Sequence, residues 1–341
     1  MTNYHFPKID LHLHLDGSFR TETLYRLARE RGITLPGGTL EGYRKFLYDC
    51  SGAESVNEYL KMFDGPTQVL QDADSLSVIT EELICDLAGY GVRYAEIRFA
   101  PQLHTAGQLS QSDAVEAVLK GRASGLKKNP GIHVNLITCM MCVGPETANW
   151  DANMETVEVC RRYFSDDGVV ALDLAGAEGI VPLANFAPLF EKAREYGLNL
   201  TCHAGDSQDW RTVRDAIGFG VSRIGHGHHI YENPELVRKA AEKGIFLEIC
   251  PTSNVQCRTR ESYAMHPAKN LLQMGIPVTI NTDNMAMARV TLDDEYDHCL
   301  NEMGFTMNDL ICMNINSANA AFMKDDLRKQ IIAELQSYLK D

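Results

Sequence analysis

The chain has 341 residues, of which 46 are acidic and 32 are lysine or arginine, so its formal charge is −14. A surface with this charge repels nucleic-acid phosphates and anionic membranes, and we expect neither as a partner. With 45% apolar residues, the length fits one large domain over residues 1–341 better than two small ones.

The N-terminus and the cysteines predict a cytoplasmic location. The first residues lack the apolar stretch of a signal peptide, and no apolar run approaches the ~20 residues that a membrane-spanning helix needs. The ten cysteines lie mostly within apolar segments, which is typical of buried free thiols in a reducing compartment. Cys139 and Cys142 match C-x-x-C, but we interpret them as two thiols beyond a strand, because nothing else resembles a redox protein.

The first predicted strand lies within residues 9–18, where apolar and polar residues alternate. This alternation places every second side chain on one face, so His12 and His14 point the same way. Two imidazoles at this spacing can bind one metal ion, although an isolated His-x-His pair is also compatible with a half-buried core position.

Residues 15–91 contain no strand pattern and are predicted to be helical, beginning with a helix over residues 21–31. Within this long connection, Val56, Tyr59, Leu60 and Phe63 fall at i, i+3, i+4 and i+7, which places them on one helix face. Such an apolar stripe fits either ordinary core packing or an apolar wall over a pocket.

Strands and helices alternate in the rest of the chain. Seven further strands are predicted over residues 92–99, 132–138, 169–174, 198–203, 223–226, 245–250 and 276–283. Helices are predicted over residues 112–127, 153–164, 183–196, 209–219, 234–243, 267–274, 307–316 and 325–339. The alternation implies a parallel sheet, and eight strands imply an α/β fold of the (β/α)8 TIM-barrel type, with extra helices after strand one and at the C-terminus.

Reactive groups in such a barrel lie at the carboxyl ends of the strands. Those ends carry His12, His14, His203, His226 and Asp283. Three neutral imidazoles and a carboxylate favour Zn²⁺, with Fe²⁺ or Mn²⁺ as alternatives, and we predict His12, His14, His203 and Asp283 as its ligands. One such ion would lower the pKa of a water from ~15.7 toward ~7.

Two more residues at these strand ends, Asp206 and His226, are predicted to take part in proton transfer. Asp206 follows His203 by three residues, and burial in a closed pocket would raise its pKa and keep it protonated as a donor. The same residue could instead cap the following helix. His226 lies between two glycines and is predicted to orient or deprotonate the attacking water, with help from Asp283. Arg98, at the end of strand two, is predicted to form a structural ion pair.

Together these segments resemble the adenosine deaminase family of metal-dependent amidohydrolases. The resemblance is carried by residues 12–17 (HLHLDG), 96–101 (EIRFAP), 173–176 (DLAG), 203–206 (HAGD), 225–227 (GHG), 250–254 (CPTSN) and 281–283 (NTD). It implies that the metal is zinc, and that His14, Asp16, Gly176 and Asn284 hold the substrate. It further implies that the apolar stripe defined by Val56, Tyr59, Leu60 and Phe63 is the lid of the pocket.

Two positions depart from the family pattern. The family usually has Glu at the position of Asp206, where the carboxyl donates a proton to purine N1, and Asp is shorter by one methylene. Many members have a second Asp at the position of Asn284. The Asn amide donates to purine N7 without requiring a bound proton, so this second change is chemically conservative.

The resemblance implies hydrolytic deamination of adenosine or 2′-deoxyadenosine, with hydroxide adding to C6, as a step of purine salvage. Adenine, a modified adenosine such as 6-aminodeoxyfutalosine, or binding without catalysis because of Asp206 are the alternatives. A binuclear amidohydrolase is disfavoured because residues 172–175, at the end of strand four, contain no lysine. The His-x-Glu and Pro-Cys-x-x-Cys elements of the other zinc deaminases do not occur.

Overall fold

A computed structural model describes residues 4–52, 59–144 and 149–340. Eight parallel strands form its centre, in two four-stranded sheets of order β1–β2–β3–β4 and β5–β6–β7–β8. The strands are β1 Lys8–His14, β2 Val92–Phe99, β3 His133–Cys142, β4 Val169–Gly176, β5 Thr201–Ala204, β6 Arg223–His226, β7 Phe246–Ile249 and β8 Val278–Ile280.

Two isolated parallel bridges join the sheets into a closed barrel. Leu172 of β4 pairs with Leu200 just before β5, and Leu13 of β1 pairs with Asp283 just after β8. The predicted (β/α)8 barrel is therefore confirmed, and the differences lie at strand ends. For example, β3 runs four residues beyond its predicted end, because it stays paired with β4 as far as Cys142 and Gly176.

The helices follow the strands as predicted, including the additional ones after β1 and at the C-terminus. Those after β1 are α1 Thr21–Glu30, α2 Leu40–Cys50, α3 Asp64–Val69 and α4 Ala73–Gly89. Those between later strands are α5 Gln111–Lys128, α6 Trp150–Tyr163, α7 Ala187–Glu195, α8 Trp210–Gly218, α9 Pro234–Glu242, α10 Pro251–Gln256 and α11 Ala268–Gln273. Those after β8 are α12 Met285–Ala288, α13 Leu292–Asn301, α14 Met307–Ala320 and α15 Asp325–Gln336.

Local sequence accounts for several of the helix starts. Ser110 with Asp113, Thr291 with Asp294, and Thr306 with Asp309 form reciprocal capping boxes at the starts of α5, α13 and α14. Each pair satisfies backbone N–H groups that have no partner within the helix. Among the described helices, none is both long and apolar enough to cross a membrane.

Seven of the ten cysteines are buried thiols outside any disulfide, as predicted for most of them. Cys139 and Cys142 both lie in β3 and are buried. The Cys142 thiol donates to the carbonyl of Ala177 at 3.3 Å, and the Cys139 thiol approaches Asp173 at 3.6 Å. The C-x-x-C match is therefore part of the barrel wall.

Five fully buried charged residues form a connected ion-pair network inside the barrel, namely Glu96, Arg98, Asp173, Arg223 and Glu248. Arg98 contacts Asp173 at 3.0 Å and Glu248 at 2.7 Å, which confirms its predicted structural ion pair and identifies the partners. Arg223 contacts Glu96 and Glu248, each at 2.6 Å. Each of these buried charges depends on a partner, because an unpaired buried charge is strongly destabilising.

Replacing Arg223 by Met should lower the free energy of unfolding by about 3–5 kcal/mol, because Glu96 and Glu248 lose a buried partner. The matched control is Arg238→Met, since Arg238 pairs with Glu242 on the exposed surface of α9. That change should stay within about 0.5 kcal/mol of the parent. Urea denaturation followed by circular dichroism measures both, and equal losses would contradict the network's role.

Candidate active site

The four predicted metal ligands converge at the carboxyl ends of the strands. The Nε2 atoms of His14 and His203 are 3.2 Å apart. Asp283 Oδ1 lies 3.7 Å from His12 Nε2 and 3.5 Å from His14 Nε2. Side chains from β1, β5 and the segment after β8 therefore bring three nitrogens and one carboxylate oxygen together at this end of the barrel, where His12, His14 and Asp283 form one group that could hold a metal ion.

Hydrogen bonding and burial favour the form of the histidine rings that can bind a cation. His12 Nδ1 is hydrogen-bonded to Glu248 at 2.9 Å, which holds the Nδ1 hydrogen and leaves Nε2 as a lone-pair donor. His203 Nδ1 lies at ion-pair distance, 3.0 Å, from Asp173. His12 Nε2 is buried and has no hydrogen-bond partner among the described residues. Burial lowers the pKa of both His12 and His14, which keeps their rings in the neutral form that binds metals. These residues fit a divalent metal ion.

Backbone geometry at Asp283 brings the last strand to the first. Asp283 has a φ of 60°, in the left-handed region that non-glycine residues rarely adopt. Its N–H donates to the His12 carbonyl at 2.8 Å, and its carbonyl accepts from the His14 N–H at 2.7 Å. These two bonds hold the strained residue in place and set its carboxylate beside both histidines, as is common at functional sites.

A cavity of about 390 Å³ opens directly above the ligands. It is lined by the sequence-predicted residues His14, Asp16, Tyr59, Leu60, Phe63, Gly176, His203, Asp206, His226, Asp283 and Asn284. Val56 lies outside the described residues. Three members of the predicted stripe thus face a pocket, which favours the apolar-wall interpretation over core packing alone.

Comparison with known proteins assigns the family. Residues 7–338 match the family model described as "Adenosine deaminase". The chain belongs to the adenosine deaminase family. It is 37% identical over 330 residues to an adenosine deaminase from Haemophilus ducreyi, which covers 96% of this chain and 95% of that protein. It is 34% identical over 337 residues to one from Vibrio vulnificus, which covers 98% of this chain and 100% of that protein.

Solved structures agree with this assignment. An adenine deaminase from Arthrobacter aurescens is 25% identical with a TM-score of 0.89, covering 98% of this chain and 99% of that one. A zinc-bound amidohydrolase from Burkholderia ambifaria is 25% identical with a TM-score of 0.88, covering 97% and 90%. Arabidopsis ADAL complexed with IMP is 26% identical with a TM-score of 0.85, covering 97% and 96%. With the converging donors, the family indicates a metal cofactor.

Asp206 lines the cavity, but the prediction that its pKa is raised is wrong. Burial alone would raise the pKa, but the interaction with His226 and the hydrogen bonds from His228 and Thr259 lower it below its usual value. Asp206 Oδ1 accepts from Asn254 Nδ2 at 2.8 Å and from Thr259 Oγ1 at 3.0 Å. The capping alternative is also wrong, because Asp209 is the N-cap of α8.

Hydrogen bonds behind the site fix the tautomer of His226. His266 Nδ1 accepts from the Ala268 N–H, so His266 Nε2 carries a hydrogen and donates to Asn254 Oδ1 at 3.1 Å. The amide of Asn254 therefore turns its Nδ2 toward His226 Nδ1, also at 3.1 Å. A neutral His226 ring then has its hydrogen on Nε2 and acts as a donor. Of its two predicted roles, orienting the water fits this tautomer and accepting a proton does not.

Sequence reasoning missed three carboxylates that orient the site. Glu178 accepts from the backbone N–H groups of residues 205–208 at 2.6–3.0 Å and so anchors the loop that carries Asp206. Glu248 and Asp173 orient His12 and His203. Their positions in the sequence could have identified them. Each acid lies in or just after the apolar run of a predicted strand, where a charge without a partner would be costly.

Gly225 provides the space in which two ligands meet. A Cβ at this position would lie 2.8 Å from His12 Cε1 and 3.3 Å from His203 Cγ. Contacts this short force the rings to move, so a side chain here and an intact ligand set are incompatible.

Gly225→Ala should therefore weaken metal binding by at least about tenfold, because changes next to the ligands cost about 10–100-fold in metal affinity. Gly218→Ala is the control, since a Cβ at Gly218, the last residue of α8, would meet nothing within 4 Å. Chelator competition measures the affinity of each variant. Parental metal affinity in Gly225→Ala would show that the rings tolerate the added methyl group.

Proposed function

We propose that this chain is a cytoplasmic purine-salvage enzyme that hydrolyses adenosine or 2′-deoxyadenosine to inosine or 2′-deoxyinosine and ammonia. The observation that carries the proposal is the convergence of His12, His14, His203 and Asp283 beneath a cavity, in a chain that matches the adenosine deaminase family over residues 7–338. We propose that these four residues bind one zinc ion. When bound, zinc would supply a water whose pKa is lowered toward ~7.

The cavity favours an uncharged nucleoside over a nucleotide. Its described lining contains carboxylates from Asp16, Asp64, Glu178, Asp206 and Asp283 but no lysine or arginine. Residues 53–58 and 145–148, which lie outside the description, contain no lysine or arginine in their sequence either. A 5′-phosphate would meet like charge without a compensating cation, which costs several kcal/mol in an interface. In this respect we expect the chain to differ from the Arabidopsis protein that binds IMP.

The predicted substrate residues have chemistry that suits a nucleoside. Asp16 is buried, its Oδ1 has no hydrogen-bond partner among the described residues, and burial raises its pKa to about 6. A ribose hydroxyl would satisfy that oxygen. Tyr59, Leu60 and Phe63 would cover the purine, Gly176 would approach it with backbone atoms, and the Asn284 amide would donate to N7.

Proton handling is divided among three residues. His226 would donate through Nε2 and orient the attacking water, and Asp283 would take the proton that this water loses. Asp206 has one carboxylate oxygen held by Asn254 and Thr259, and the other would face purine N1. Because the donors keep Asp206 ionised in the free protein, we propose that it takes up a proton when the purine and the lid exclude water from the cavity.

Adenine is the second candidate substrate. The adenine deaminase from Arthrobacter aurescens matches this chain with a TM-score of 0.89, so the same barrel and ligand arrangement accommodates a substrate without ribose. The unpartnered Asp16 oxygen argues for the nucleoside, because ribose brings hydroxyl donors that adenine lacks.

The purified chain should release ammonia from adenosine and 2′-deoxyadenosine, with loss of the 6-amino chromophore. AMP should be a poorer substrate by about 100-fold or more in kcat/KM, because its phosphate faces carboxylates. A chelator should abolish turnover and added zinc should restore it. Preference for adenine would support the second candidate, equal use of AMP would refute the electrostatic argument, and no turnover with any purine would favour a binding protein.

Asp206→Ala and His226→Ala should each lower kcat by about 100- to 10,000-fold while zinc stays bound, because neither side chain is a predicted ligand. His229→Ala is the matched control, since His229 pairs with Glu232 and is not among the residues that line the cavity. Ammonia release and metal analysis of the same samples separate lost chemistry from lost zinc. Full activity in either of the first two variants would rule out its assigned role.

A further inference from the structure

We propose that His228, Thr259 and Arg260 form a positioning network that fixes the orientation of the Asp206 carboxyl. The inference rests on the proposed function, because it concerns the delivery of a proton to the purine. It assigns none of the three as a catalytic residue, since each acts through Asp206.

Three donors converge on one oxygen of Asp206. Asp206 Oδ1 accepts from Asn254 Nδ2 at 2.8 Å, from Thr259 Oγ1 at 3.0 Å and from His228 Nε2 at 3.3 Å. No hydrogen bond from the described residues reaches Oδ2. Because Asp206 also lines the cavity, Oδ2 is the oxygen available to a substrate. The network therefore distinguishes the two oxygens of an otherwise symmetric group.

Arg260 fixes the direction of the His228 hydrogen bond. Arg260 Nε donates to His228 Nδ1 at 2.8 Å, and an arginine nitrogen can only donate. Nδ1 is therefore the acceptor, and the neutral ring carries its hydrogen on Nε2, toward Asp206. Burial lowers the pKa of His228 to about 3, so the ring is neutral at physiological pH. His228 thus orients the carboxylate by a directional hydrogen bond.

The backbone after α10 is bent so that Thr259 and Arg260 reach the site. Arg258 has a φ of 57°, which turns the chain at the end of the helix and is costly for a residue with a side chain. The N–H of Arg260 then donates to the carbonyl of Asn254 at 2.9 Å. This turn places Thr259 Oγ1 3.0 Å from Asp206 Oδ1 and 3.1 Å from the Asn254 carbonyl, and the shorter contact is its hydrogen bond to Asp206.

Asp206 is thus fixed from two sides. Glu178 holds its backbone N–H at 3.0 Å on one side, and the positioning network holds its side chain on the other. A misplacement of about 1 Å at a reacting group can cost about 100-fold in rate. The Asp206 side chain is short and has few rotamers that could bring its carboxyl back to the substrate after a displacement. Its orientation therefore depends on hydrogen bonds from its neighbours.

Four variants test the inference with adenosine as substrate and 1-deazaadenosine, which lacks the N1 acceptor, as inhibitor. His228→Ala removes a donor, His228→Gln keeps a donor near the Nε2 position, and Thr259→Val removes a hydroxyl at nearly constant shape. His229→Ala is the control from the same turn, His228–Glu232, because its ring pairs with Glu232 and packs beside His228 but makes no hydrogen bond or ion pair with Asp206.

We expect His228→Ala and Thr259→Val to lower kcat by about 10- to 100-fold, with KM, the inhibition constant of 1-deazaadenosine and zinc content within about threefold of the parent. His228→Gln should retain most of the activity, and His229→Ala should match the parent. Should His228→Ala fail to fold, Thr259→Val and His228→Gln decide the question.

Two results would overturn the network while leaving the proposed function intact. One is parental kcat in both His228→Ala and Thr259→Val. The other is an equal loss in kcat and in 1-deazaadenosine affinity, which indicates general damage to the cavity. A parent protein that releases no ammonia from adenosine would instead refute the proposed function, and this inference with it.

Discussion

The carboxylate of Glu248 connects the interior of the barrel to the candidate site. One of its oxygens contacts Arg98 at 2.7 Å and His12 at 2.9 Å, and the other contacts Arg223 at 2.6 Å. All of these groups are buried, so none can turn away without leaving a charge or a polar atom unpaired. The orientation of the first ligand therefore follows from the same ion pairs that organise the centre of the barrel.

Other carboxylates orient groups around the cavity in the same way. Asp173 orients His203, and Glu178 gathers the backbone N–H groups of the loop that carries Asp206. None of these acids needs to touch a substrate, but each removes freedom from a group that would. Such preorganisation is a main source of enzymatic rate enhancement, because the reacting groups need not rearrange during the reaction. The anionic surroundings also suit a cation together with an uncharged substrate.

The sequence was sufficient to predict the barrel fold and to predict which residues come together at the site. Alternation of strands and helices is a local signal, and the rule that chemistry lies at strand carboxyl ends brings together residues as distant as His12 and Asp283. The protonation state of Asp206 was not accessible in this way, because its donors come from other loops and only the fold brings them near. The extent of β8 was also mispredicted, because an apolar pattern does not reveal the left-handed backbone of Asp283.

Asp283 belongs both to the proposed ligand set and to the closure of the barrel. Its backbone bonds to His12 and His14 hold together the first and last strands, while its carboxylate faces the same two rings. A substitution that relaxes its backbone would open this seam as well as disturb the ligands. The architecture and the chemistry at this position can therefore only change together.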